Sequence, residues 1–320
     1  MKKILLISAI TIFSLFIMSC EEDFNPKTEY KERFILNCIV RGDTTLQYAT
    51  LLKSYSIPGF DPYENRVDPF LEGADIRIWH QDDVYFLRDT VLVRDDTSRY
   101  NTPINCYYLS GFRPGETEEL EIKAILPTGK TLVGKTKLPD YVTFSSASDF
   151  IIPSDEKDNF AFLWSGENNI GWYLTRFSIY YSKKENGVDV FYSKEVPTKY
   201  VLENGKWNAK YPVPSRSTAV GFLNSALDSA FAQISAGDEN KSNYTIRAGV
   251  LELLIFDENL SKYYSSINGF LDQFTVRVDE TDYTNIEGGF GIFGSYIKQN
   301  RSMRFETSYV QSFGYTPINP

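Results

Sequence analysis

A single histidine, His80, stands in the 320 residues, so a serine–histidine–acid triad or a histidine-rich metal centre would have to be built around it. It follows Trp79 at the end of an alternating run and reads as a surface residue. Paired carboxylates ask for less, since glycoside hydrolysis needs only two acids roughly 5 to 10 Å apart. Such pairs stand at Asp82-Asp83, Asp95-Asp96, Glu118-Glu119, Asp155-Glu156-Asp158 and Asp257-Glu258. Each lies in a polar, turn-like context where solvated charge is the default. The stretch from Asp155 to Asn159 offers oxygen ligands but not the spaced ladder and central glycine of an EF-hand. Gly289, Gly291 and Gly294 spell GxGxxG, yet a dinucleotide site needs that motif between a strand and a helix N-terminus. Here the glycines alternate with Phe290, Ile292 and Phe293 and run on into Ser295-Tyr296-Ile297, the pattern of a glycine-bearing strand after a tight turn at Gly288-Gly289. The expectation is a non-enzymatic chain with no metal or cofactor; a hydrolase using paired acids is the distant alternative.

The first twenty residues carry a different chemistry. Lys2 and Lys3 precede an apolar run, Ile4 to Met18, and small Ser19 stands directly before Cys20. The run is too short for a comfortable membrane span and reads as a secretory signal. Ile17-Met18-Ser19-Cys20 resembles a bacterial lipobox, which implies cleavage before Cys20 and acylation of its thiol. Several fatty chains on one residue make membrane release negligible, because their burial free energies add. Glu21, Glu22 and Asp23 follow at once; this acidic cluster looks like the export signal for the outer face of the outer membrane, and it is also a solvated leash.

Charge narrows the partners. The formal net charge is −9, and loss of Lys2 and Lys3 with residues 1–19 makes it −11. Such a chain will not grip a phosphate backbone, so nucleic acid is excluded; nor is it drawn to an anionic lipid surface, and the lipid on Cys20 does the anchoring. With Cys20 committed to lipid, Cys38 and Cys106 remain in an oxidising compartment, either as a disulfide or as two buried thiols.

Tyr and Phe, at 22 and 23 residues, far outnumber Met at 3, a bias toward strands. Phe34, Leu36, Cys38 and Val40 alternate with Ile35, Asn37, Ile39 and Arg41. Further runs follow at 46–57, 74–79, 84–87, 106–112, 120–126 and 131–138, punctuated by Arg113-Pro114-Gly115 and Pro127-Thr128-Gly129-Lys130. The spacing predicts an antiparallel β-sandwich over 33–140, after a signal peptide (1–19) and an acidic tether (20–32). A larger β-rich domain over 141–320 is predicted beyond Pro139-Asp140. Asn186-Gly187 and Asn204-Gly205 mark hairpins. Three- and four-residue spacing from Phe222 to Ile234, ending at Gly237, predicts one helix, and Asp257 reads as the cap of a second short one carrying Leu260. Strands are predicted at 244–256, 274–278, 290–296 and 303–305. In the Pro58–Gly73 loop and beside it, Tyr55, Phe60, Tyr63 and Phe70 are the candidate partner or ligand contacts, since exposed aromatics stack on sugars and anchor interfaces.

Val250 to Ile255, Leu260-Ser261-Lys262-Tyr263-Tyr264 and the Thr284–Gly294 segment together resemble a family of Bacteroidetes-type outer-membrane lipoproteins of unknown function. Members are usually encoded beside TonB-dependent transporters. The resemblance implies an immunoglobulin-like or carboxypeptidase-regulatory-like first domain and a larger β-rich second one. It also implies an accessory, partner-docking role at an integral outer-membrane protein of that transporter type. A stand-alone glycan- or peptide-binding lipoprotein is the alternative. No catalytic residues come with the resemblance.

Overall fold

The computed structural model describes residues 30–55, 65–98, 100–146, 148, 150–153, 158–166, 169–268 and 283–318. Cys20, Phe60, Tyr63, the acids Asp155 and Glu156 and the strand expected at 274–278 lie outside the described residues. Arg33–Pro320 forms one compact unit, and the fold is mainly β, as the alternation predicted.

The first eight strands are β1 (Phe34–Arg41), β2 (Leu46–Lys53), β3 (Asp75–His80), β4 (Asp83–Phe86), β5 (Arg88–Leu92), β6 (Ile104–Ser110), β7 (Glu119–Ile125) and β8 (Thr131–Lys137). After short β9 (Thr143–Phe144) and β10 (Ile151–Ile152) come β11 (Asn159–Ser165), β12 (Tyr173–Glu185), β13 (Val188–Val196), β14 (Lys199–Glu203), β15 (Lys206–Lys210) and β16 (Ala219–Leu223). The chain closes with α1 (Asn224–Ile234), β17 (Tyr244–Phe256), α2 (Glu258–Asn268), β18 (Ile286–Glu287), β19 (Phe290–Phe305), α3 (Thr307–Ser312) and β20 (Thr316–Pro317).

A ten-stranded sheet is the platform, in the order β13-β12-β17-β19-β1-β2-β6-β5, with β10 and β20 joined at its side. One strand, β19, serves both halves of it. Its residues Phe293 and Ile297 enter a first core with Leu36, Cys38, Leu51 and Tyr107. Its Met303 enters a second core with Phe177, Leu251, Leu253 and Phe231. These three β19 residues are an even number apart, so both cores lie on one face of the sheet. The five-stranded sheet β18-β8-β7-β3-β4 covers the first core. The second is covered by the sheet β16-β11-β9 with residues of α1 and α3. The boundary expected at Pro139-Asp140 thus falls between two cores but not between two sheets, because β18 and β19 return to complete the first core.

The expected hairpin pairing of β3 with β4 is present, with Arg77 opposite Phe86 and His80 opposite Asp83. The chain then crosses at buried Leu87 from the small sheet into β5 of the large one, an edge strand whose exposed residues gave no alternation to read. Asn186-Gly187 and Asn204-Gly205 turn β12–β13 and β14–β15, with positive φ at both residues of each pair, the geometry of type I′ hairpins. α1 buries Ala226, Leu227, Ala230, Phe231 and Ile234, the apolar positions read from spacing, while Phe222 belongs to the preceding β16. Strands expected separately at 290–296 and 303–305 are one continuous β19.

The sandwich is not purely antiparallel. β1 runs parallel to β19, with Leu36 beside Gly291 and Cys38 beside Phe293. A parallel pair needs a long crossover rather than a hairpin, and here nearly the whole chain lies between the partners, out of reach of local sequence reading. The glycines of the GxGxxG stretch belong to this seam. A Cβ on Gly291 would lie 2.1 Å from the carbonyl oxygen of Leu36, at a φ of +109°. Gly291→Ala should therefore cost about 3 kcal/mol, the sum of a left-handed backbone and an overpacked contact, seen as a lowered midpoint in urea unfolding with an unchanged slope.

Candidate functional site

Cys38 and Cys106 are both free and buried. Cys38 faces the first core from β1, and burial pushes its thiol up to about 12. Cys106 lies on β6, separated from β1 by β2, and its strand neighbour Tyr107 faces the core. Alternation therefore turns Cys106 to the opposite face. Two strand spacings amount to roughly 10 Å, beyond the ~7 Å Cα separation that a disulfide spans. The pairing considered from sequence is ruled out by that register.

Among the loop aromatics, Phe70 packs against the first core, bridging Leu52 in a short backbone pairing and lying 5.3 Å from the Tyr107 ring. It is a core-rim residue and not a free contact. Tyr55 is half-buried. His80, expected at the surface, is half-buried instead, its Nε2 2.9 Å from Glu118 Oε2 and its ring 5.9 Å from Phe112. Glu118 also accepts from the Gly115 amide at 2.6 Å, so this carboxylate organises the loop before β7.

Asp257 departs most from its expected solvated setting. It caps α2 by accepting the Leu260 amide at 2.6 Å, as the sequence predicted. It is nonetheless buried, and it accepts in addition the Ser295 amide at 2.9 Å, the Ser295 hydroxyl at 3.1 Å and the Thr136 hydroxyl. One carboxylate thus ties α2 to β19 and β8. Next to it, Glu258 is exposed and paired with Lys262 at 2.8 Å, so the two neighbouring acids stand in unlike settings, one buried and one solvated. Burial pushes the Asp257 carboxyl up to about 6, against the pull of its donors.

Two clefts flank this joint. One, of about 730 Å³, sets Trp79 beside the Glu121–Lys135 ion pair (3.2 Å) and Asn259. The other, of about 960 Å³, is lined by Trp172, Arg216, Ser261, Lys262 and Tyr283. Both mix an aromatic side chain with charged and amide groups, a lining suited to holding a polar ligand by stacking and hydrogen bonds. Among the described residues no group of three His, Cys, Asp or Glu side chains converges as a metal site.

Two surfaces were not anticipated. The face of the ten-stranded sheet turned away from both cores carries half-exposed Ile35, Ile39, Leu52, Val250, Leu254 and Tyr296, interspersed with the Lys298–Glu252 pair. The second surface is the β14–β15 hairpin, a two-stranded sheet of its own. It pairs Leu202 with Trp207 across the strands, and these side chains are 56% and 64% exposed. Alternation predicts which residues share a face but not which face is left uncovered. The legible signal was the Asn204-Gly205 turn; that its two strands pair with no third strand among the described residues is seen only in the structure.

No protein-family model matches the chain, and none of the curated proteins is similar to it.

The Asp257 joint carries a pH signature. Its carboxyl titrates higher in the folded chain than the ordinary 3.8, so between about pH 4 and 6 the native state holds the extra proton. Folding stability from this group is therefore present below pH 4 and falls as pH rises through 6, by up to about 3 kcal/mol. Asp257→Asn should flatten that part of the stability–pH curve in denaturant titrations; an unchanged slope would exclude Asp257 as its source.

Proposed function

We propose that the chain is a lipid-anchored outer-membrane lipoprotein that serves as an accessory docking subunit for an integral membrane protein, of the TonB-dependent transporter type. Acylation of Cys20 holds it at the membrane, and the acidic residues 21–23 form the leash that carries it toward the cell-surface face. The observation that carries the docking role is the broad outward face of the ten-stranded sheet. Beside the part at Phe256 that α2 covers, rows such as Leu174–Leu254–Lys298 and the Tyr296–Arg41 pair cross it in register, half-buried apolar groups alternating with charge. That mixture is typical of a non-obligate protein interface, which is no more apolar than ordinary surface but enriched in Tyr and Arg.

Fatty-acid labelling with a clickable palmitate analogue should mark the wild-type chain and not Cys20→Ala. Mild detergent extraction should recover it with one integral outer-membrane protein in fixed proportion, and Tyr48→Ala with Tyr180→Ala, both exposed on the outward face, should release that partner. Repeated recovery of a lone monomer would remove the docking role.

Sugar binding is the second reading, favoured by the Trp79 cleft rather than by the loop aromatics. A stacking platform flanked by Glu121, Lys135 and Asn259 provides the apolar face and the edge hydrogen bonds that a pyranose uses. Calorimetric titration with oligosaccharides should then give heat that Trp79→Ala reduces at least about tenfold in affinity, given that one aromatic contact is worth about 1 kcal/mol or more. Absence of heat across neutral and acidic glycans leaves docking alone.

A further inference from the structure

We propose that the β14–β15 hairpin is a membrane-surface contact, seating Leu202 and Trp207 among the headgroups of an anionic bilayer. The hairpin forms a separate sheet, tied near its base by the hydrogen bond from Gln233 of α1 to the Tyr200 hydroxyl at 3.2 Å. Leu202 and Trp207 lie one pair from the Asn204-Gly205 turn, on the same strand face as Tyr200 and Ala209. Beyond the hairpin, Tyr211 and Val213 are exposed, and on the hairpin before it Val188 and Phe191 stand 65% and 67% exposed. Large apolar groups in such number on a short stretch mark a contact.

Charge decides what kind. Between Lys183 and Arg216 the sequence holds seven basic and four acidic residues, a local net charge of +3 within a chain of −9. Three ion pairs engage members of this set: Glu203 with Lys210 at 2.7 Å, Asp189 with Arg247 at 3.1 Å and Lys183 with Asp238 at 3.0 Å. Lys184, Lys199, Lys206 and Arg216 are exposed, and among the described residues none of the four is ion-paired. Charges further away than a screening length of about 8 Å contribute little, so the local surplus weighs most in what this surface meets. Lys199, Lys206 and Lys210 lie on the hairpin face opposite Leu202 and Trp207; a protein interface core is depleted in lysine, whereas aromatic and basic residues together are the composition of a bilayer's interfacial belt. The indole settles at headgroup depth, leucine reaches the acyl boundary, and each lysine adds attraction to anionic lipid. This contact is independent of the docking face, which lies on a different sheet.

The fragment Arg33–Pro320, which holds both cores and every described strand, lacks residue 20 and so isolates the hairpin from the lipid anchor. It should sediment with phosphatidylcholine vesicles containing phosphatidylglycerol and much less with phosphatidylcholine alone, with binding weakened by added salt. Tryptophan emission should shift to the blue on binding, and Trp207→Phe should abolish the shift while retaining sedimentation. Lys199→Ala and Lys206→Ala should each weaken binding about fivefold, the factor for one cation at an anionic surface. Leu202→Ser with Trp207→Ser should abolish binding while leaving the thermal midpoint unchanged, as both side chains are exposed. A fragment that stays in solution with both vesicle types overturns the proposal, as does a double variant that sediments like wild type.

Discussion

The parallel seam between β1 and β19 is the constraint on which the rest of the fold depends. It joins the first strand of the compact unit to one near its end, in register from Ile35 beside Phe290 to Arg41 beside Tyr296. Without it the first sandwich would lack Phe293 and Ile297 from its core, and the large sheet would divide into two. The seam is close enough that a side chain is excluded at Gly291, and the Ile292 amide donates to the side-chain carbonyl oxygen of Asn37 at 3.2 Å. A strand of sixteen residues can serve two cores because each core reads only the alternate positions on one face.

Asp257 performs for the outer layers what the seam does for the sheet. β17 ends at Phe256, α2 begins at Glu258, and between them one carboxylate gathers donors from α2, β8 and β19. The backbone repeats the link, with the Asp257 amide donating to the Ser295 carbonyl at 3.0 Å and Ser261 Oγ donating to the Asp257 carbonyl at 2.6 Å. Ser261 Oγ in turn accepts the Trp172 amide at 2.8 Å, which brings the approach to β12 into the same network. Gly294 leaves room for Leu260, so α2 rests directly on β19. A carboxylate this deep is costly to ionise and is held by its four donors, which makes it a joint between the layers.

Local features were legible in the sequence and long-range ones were not. The bounds of β17 match the expected 244–256 run, the Asn-Gly dipeptides turn where they should, and the α1 positions that spacing selected are its buried face. These depend on periods of two and 3.6 residues and on turn chemistry within a few positions. The fate of Phe70 and of the two thiols depended instead on which strands become neighbours, and β2 between β1 and β6 decided both. Parallel pairing was invisible for the same reason. The role assigned to residues 1–23 stands on sequence alone, since those residues lie outside the described part of the chain.

The exposed Leu202–Trp207 pair has a bland explanation that magnitudes can weigh. A two-stranded hairpin is marginal in water, and a cross-strand apolar pair contributes roughly 0.2 to 1 kcal/mol to holding it. The type I′ turn and the Lys210–Glu203 contact supply support of their own, so a Leu–Trp pair is not required for closure, and a threonine or valine pair would serve equally. Hairpin stability likewise does not account for Val188 and Phe191 on the preceding turn, or for the basic surplus along a chain that is acidic elsewhere. Phe191 carries Arg247 over its ring at 4.6 Å, which orders one of these side chains but leaves its outer edge in water. An apolar tip and a basic surround arise together where a surface must enter a boundary that is greasy beneath and anionic above, and the fold positions this hairpin apart from both cores, where it can do so without disturbing either.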